Sequence, residues 1–186
     1  MSARTVTYLP RVSSGMRAVA LIQEPAPLLV GERVNATGSR KVKRLLLAED
    51  YDGILAVARE QLESGAHVLD VSVAMTERSD EVEQMRRVVK KLSMGLELPL
   101  MIDSTEADVI KAALEIYPGR AIVNSIHMED GRGKIERVVP LLVEHGAATV
   151  VLTIDESGMA KTAARKLEVA RTIHDIVVGE YGLQPP

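Results

Sequence analysis

The chain has 186 residues, 46% hydrophobic and 26% charged, with a formal net charge of −3 at neutral pH. That balance excludes a disordered chain and argues against a general affinity for nucleic acid or anionic membranes. Cysteine is absent, which removes disulfides, thiolate nucleophiles and cysteine-ligated zinc or iron–sulfur centres from consideration.

No apolar run approaches the ~18 residues that a membrane span needs. The N-terminus lacks a basic segment followed by an apolar stretch and a cleavage site, so a soluble, cytoplasmic protein is the expectation. Phe and Trp are absent and there are only four Tyr. The core must then be built from Val, Leu, Ile, Ala and Met, the residues that fill parallel sheets and barrel interiors. The length suits one domain, burying roughly 70% of the surface of its unfolded chain.

Residues 1–16 are polar and aperiodic and read as a tail or linker, so the folded unit is expected over 17–186. Two apolar runs, 18–22 and 28–30, flank Gln23-Glu24-Pro25-Ala26-Pro27, a pattern of a hairpin whose second arm becomes the first strand. Ile54, Ala58 and Leu62 then stripe one helical face, and Gly65 supplies a left-handed stop. A β-branched strand follows at 67–73. The next helix is striped by Val82, Met85, Val88 or Val89, and Leu92, with Ser79 as N-cap and Gly95 at its end. Residues 98–102 form a short strand. The helix after it is expected to use Ser104 or Thr105 as a cap, with Thr105 and Asp108 at capping-box spacing, and to end at Pro118-Gly119.

A fourth strand is expected over 120–123, then a helix marked by Ile135, Val138 and Leu142, kinked at Pro140 and ended by Gly146. The fifth strand, 148–154, precedes a helix striped by Leu167, Ala170, Ile173 and Val177. Such alternation means a parallel sheet. The phosphate fingerprints of open doubly wound folds are missing. Each strand end carries an acid or amide: Glu32 and Asn35, Asp70, Asp103, Asn124, Asp155. In a barrel these ends converge on the C-terminal mouth, where active sites sit. The expected fold is therefore α/β, the first five β/α units of a TIM-type (β/α)8 barrel.

A mouth of acids and amides, without histidine clusters or cysteine, is poorly suited to metal hydrolysis or nucleophilic catalysis. It suits a flat heterocycle with several N–H donors, such as the 2-amino-4-oxo-pyrimidine edge of a pterin. A carboxylate accepts two N–H bonds there, and an asparagine amide serves a mixed edge beside it. Blander readings exist for each residue. Asp103 could merely cap the following helix, Asn124 could serve its turn, and Glu32 could pair with Arg33 or Arg40. His127 reads as a solvated loop residue, and no metal site is expected.

The segments GERVNATGSRK, PLMIDSTEADVIKAAL, GRAIVNSIHMEDG and VVLTIDESGMAKTA, in that order, resemble the folate-binding domain of cobalamin-dependent methionine synthase. That family belongs to the wider pterin-binding barrel group with corrinoid methyltransferases and dihydropteroate synthase. The resemblance runs from about Arg17 to the C-terminus. It implies a site for 5-methyltetrahydrofolate at the barrel mouth, with the methyl group delivered to cob(I)alamin held by a separate module. By motif position it implies Glu32, Asn35, Asp103 and Asn124 as pterin ligands. Asp70 and Asp155 are read from their strand ends alone, as supporting or structural residues rather than direct contacts. It singles out no catalytic residue. The basic run Arg40, Lys41, Lys43 and Arg44 could meet the glutamate tail of folate, although a solvated loop is the preferred reading.

The family's strand-six aspartate and a later asparagine lie beyond Gly182-Leu183-Gln184-Pro185-Pro186, so the chain alone is expected to be inactive and to self-associate through its open edges. Dihydropteroate synthase is the enzyme alternative. Its Asn-x-Thr-x-Asp-Ser-Phe loop and Gly-Gly-Glu-Ser-Thr-Arg stretch are not found here. A non-catalytic pterin-binding or assembly module is the alternative of a different class.

Overall fold

The computed structural model describes residues 9–185. A short antiparallel hairpin opens the chain, β1 (Arg11–Ser13) paired with β2 (Ala18–Ala20). Then come β3 (Val30–Asn35), α1 (Arg40–Leu47), α2 (Tyr51–Glu63), β4 (Val68–Ser72), α3 (Glu81–Gly95), β5 (Leu100–Asp103) and α4 (Ala107–Leu114). The chain continues through β6 (Ile122–Met128), α5 (Gly133–His145), β7 (Ala148–Asp155), β8 (Gly158–Met159) and α6 (Ala163–Gly179).

Strands β3 to β7 lie side by side in chain order, all parallel, and β8 adds a short antiparallel turn to the outer edge of β7. Alternation along each strand sorts its residues into two cores. On β4, Leu69 and Val71 join the main cluster with the helices, among them Leu46, Ile54, Met85 and Leu92. Val68 faces the other way, and Val30, Met101, Ile122, Ala148 and Val150 gather with it in one second cluster. Residues from five strands can share so small a cluster only if the sheet curls. The molecule is a partial (β/α)8 barrel with its helices outside.

The hairpin seals the bottom of that barrel. Val12 and Val19 are buried against Val68, Met101 and Ile122, near the starts of their strands. Its backbone is tied down as well. The Ser13 N–H donates to the Arg120 carbonyl, and the Tyr117 hydroxyl donates to the Ser13 carbonyl while accepting from the Leu100 N–H. Gly119 permits the approach, because a Cβ there would sit 2.0 Å from the Ser13 carbonyl oxygen.

Several expectations shift. The hairpin pairs 11–13 with 18–20, not 18–22 with 28–30, so Arg11–Ser13 belongs to the folded body rather than to a tail; residues 1–8 lie outside the described region. The basic run is not a loop. It forms α1, capped by the Ser39 hydroxyl, with Val42 and Leu46 buried. The N-cap positions are Asp80 for α3 and Glu106 for α4, instead of Ser79 and Thr105; Ser104 Oγ does accept the Glu106 N–H at 3.1 Å. Val82 and Leu167 are exposed, and Val169 lines the core side of α6 in place of Leu167. Gly65 and Gly146 take the expected left-handed conformation after α2 and α5, and α5 continues through Pro140.

Candidate functional site

The register decides which acids meet. Asp103 is level with Asn124, and Asn35 is level with Ser72. Asp70 is level with Met101, so it sits deeper, against the apolar layer. Asn35 links the two depths. Its Nδ2 donates to Asp70 Oδ2 at 2.9 Å and to Asp103 Oδ2 at 3.0 Å. Its Oδ1 accepts from the Thr37 N–H at 3.0 Å, the Thr37 hydroxyl at 2.6 Å and the Gly38 N–H at 3.3 Å. Both amide protons and the carbonyl are therefore committed. Asn35 acts as a strut that fixes two like-charged side chains and the turn above them.

Asp70 is 3% exposed, and its Oδ1 is buried with no hydrogen-bond partner. An unsatisfied buried acceptor costs about 1–3 kcal/mol. Burial, opposed by the Asn35 hydrogen bond and aided by the charges of Asp103 and Glu32, pushes the Asp70 carboxyl up to about 6. The nearby Asn124 amide opposes the rise as well, although it makes no direct hydrogen bond to the buried Oδ1. Burial raises Asp103 too, against the Asn35 bond and the positive charge of Lys134. Glu32 is exposed, makes no ion pair with Arg33 or Arg40, and lies close enough to raise both aspartates.

Two further groups border the cluster. Lys134, in the first turn of α5, is 5% exposed. Burial lowers its pKa, against the attraction of Asp130, Asp103 and Glu106. Nothing in the local sequence distinguishes it from a surface lysine; only the packing of α5 beside β6 brings it in. His127 accepts the Glu129 N–H on Nδ1 at 3.2 Å. Its pKa is lowered by burial first and then by Lys134.

Asp155 does not join them. It is level with Met128, whereas Asn124 is level with Val150. At the β7–β8 turn its carboxylate pairs with Arg165 and accepts the Ser157 hydroxyl at 2.6 Å. The arrangement at the mouth is thus three acids, two amides and one buried cation, with a free acceptor at the bottom. A ligand entering there meets mostly acceptors and is favoured if it brings hydrogen-bond donors.

Comparison with known proteins agrees with that chemistry. Residues 31–186 match the model of the pterin binding enzyme family. The chain is 41% identical over 183 residues to methionine synthase of Mycobacterium tuberculosis (strain ATCC 25618 / H37Rv) and 42% identical to that of Mycobacterium leprae (strain TN). The alignments cover 97% of this chain and 15% of either relative, so the chain spans about 15% of the length of these curated relatives. Among solved structures, dihydropteroate synthase from Xanthomonas albilineans superposes with a TM-score of 0.64 at 17% identity, covering 95% of this chain and 61% of that one. The Thermus thermophilus enzyme in complex with 6HMPPP gives 0.63 at 21% identity, covering 94% of this chain and 62% of that one. These neighbours share the barrel, and the chain belongs to the pterin-binding enzyme family.

Proposed function

We propose that this chain is the pterin-binding part of a methyltransferase that uses 5-methyltetrahydrofolate and passes its methyl group to cob(I)alamin held by another module. The observation that carries the reading is the unpartnered, buried Oδ1 of Asp70 beside Asp103 and Asn124. A reduced pterin supplies the missing N–H donors at its amino-pyrimidine edge, and charge-assisted bonds of this kind contribute about 1.5–3 kcal/mol each. Asp103 and Asp70 accept from the ring, Asn124 serves its mixed edge, and Asn35 holds the two acids in place. Glu32 adds negative charge at the rim. No feature of this chain assigns a catalytic residue.

Methyl transfer is favoured over dihydropteroate synthesis by the methionine synthase relatives, since the dihydropteroate synthases are similar in fold at low identity. Relatives several times longer accommodate a separate cobalamin-binding module. Cobalamin supplies the methyl acceptor; the residues described here only bind and orient the donor. The isolated chain is proposed to be inactive and to self-associate. Calorimetry of the chain with 5-methyltetrahydrofolate and with 6-hydroxymethyl-dihydropterin pyrophosphate tests the assignment. Binding of the first in preference to the second is expected, and the reverse preference would assign it to dihydropteroate synthesis. Methyl transfer to free cob(I)alamin by the purified chain would refute its inactivity.

A further inference from the structure

Among the described residues Lys134 is the only buried cation. A buried ammonium is costly unless something compensates it, and the acids nearest to it along the chain are already engaged. Asp130 turns one oxygen to the Lys134 backbone N–H at 3.3 Å and the other to Arg137 at 3.1 Å. Glu106 accepts the Thr105 hydroxyl at 3.1 Å. The Lys134 ammonium itself makes no hydrogen bond or salt bridge among the described residues. Its helix packs against β6, and β6 sets Asn124 level with Asp103 on β5. The sheet order therefore puts Asp103 between the Asn35 strut on β3 and the lysine carried beside β6.

Asp103 has need of a counter-charge. One of its oxygens accepts Asn35 Nδ2, no described donor takes the other, and Glu32 adds like charge from β3. Lys134 supplies the positive charge that opposes the burial of Asp103, and Asp103 is among the acids that favour the charged lysine. The other charges around the pair come from Asp70 within the cluster, Glu106 at the start of α4, and His127, Asp130 and Arg137 beside the lysine. A protonated Asp103 would present an O–H to a ring edge that itself donates. We propose that Lys134 is a positioning residue for pterin binding, whose ammonium holds Asp103 ionised so that the mouth still offers an acceptor when a ligand shuts out solvent. The proposal rests on the pterin reading of the mouth.

The test uses the whole chain and two readouts. Carboxyl-carbon NMR of the ligand-free protein follows the Asp103 titration directly. Lys134→Met keeps the buried stem and removes the charge, so it should move that midpoint to higher pH, and Lys134→Arg should return it towards the original. In calorimetry with tetrahydropterin, Lys134→Met should bind roughly three- to tenfold more weakly near pH 5. The loss should vanish near pH 8, because Asp103 is ionised in both proteins once pH exceeds both midpoints. The part of the profile set by Asp70 should stay in place, since Lys134 is not among the charges acting on it. If Lys134→Met does not fold, Lys134→Gln makes the same comparison. An unmoved Asp103 midpoint would overturn the proposal, and so would an equal loss of affinity at every pH, which marks a structural role. Failure of the original chain to bind tetrahydropterin at any pH would remove the pterin reading and the binding role with it, while the NMR midpoint would still show whether Lys134 sets the charge of Asp103.

Discussion

One oxygen of the Asp70 carboxylate accepts from Asn35, and the other has no partner at all. An aspartate titrating at 3.8 when unfolded and at about 6 when folded makes the folded state bind its proton more tightly than the unfolded state does. Each pK unit corresponds to about 1.4 kcal/mol, so holding this group ionised in the folded protein costs about 3 kcal/mol above neutral pH. The sign follows from the folded value being the higher one. The contribution to stability is fully present below pH 3.8 and is lost as pH rises through about 6.

Asp70→Asn removes that titration while keeping an oxygen for the Asn35 N–H. The stability of the variant minus that of the original chain should therefore increase by about 2–3 kcal/mol between pH 4 and pH 8. Urea unfolding followed by circular dichroism across this range measures it, and the difference cancels the titrating groups that do not interact with Asp70. A difference constant with pH to within about 0.5 kcal/mol would refute the assignment of a raised pKa to Asp70. The same variant should bind reduced pterins more weakly, because an amide N–H would face a ring edge that itself donates. Stability gained at the expense of binding is the signature of a polar group retained for function.

Asp103→Ala should weaken reduced-pterin binding by about 1.5–3 kcal/mol in calorimetry, Asn124→Ala by somewhat less, and His127→Ala hardly at all. Asn35→Ala should weaken the same binding by releasing both aspartates and the 36–38 turn together; unchanged affinity would show that the strut is dispensable. Val12→Ala, at the sealed bottom of the barrel, should cost about 1.5–3 kcal/mol of stability in urea unfolding without moving pterin affinity relative to the folded fraction. Val151, Leu152, Met159 and Leu167 are exposed on or near β7, where only the far end of the strand is paired by β8. Sedimentation should therefore show a dimer that buries this edge, and a monodisperse monomer at high concentration would refute that.

The β/α alternation is legible in the sequence because apolar periodicity survives in every unit. The strand readings at 67–73 and 148–154 and the stops at Gly65 and Gly146 match the observed elements for that reason. The chemical character of the mouth is legible too, since acids and amides stand at or near the strand ends in a chain without cysteine. What pattern alone misjudges is local. Arg40–Leu47 looks like a solvated loop because of its run of charges, yet Val42 and Leu46 suffice to seat it as a helix. The hairpin escapes pattern reading because a three-residue strand carries too little periodicity, and its burial depends on partners far away in sequence.

Depth and neighbourhood at the site were decided by the tertiary structure. Asp70 and Asp155 read alike in the sequence, each an acid in a β-branched strand. Parallel register sets the first beside Met101, under Asn35, and carries the second past the cluster to Arg165. Lys134 has no sequence signal whatever, and only the packing of α5 against β6 brings its charge to bear on Asp103. Spacing along a chain specifies which face a side chain takes, because the period is local. Which charges share a low-dielectric space depends on how strands are offset and how the sheet curls, and those are properties of the whole fold.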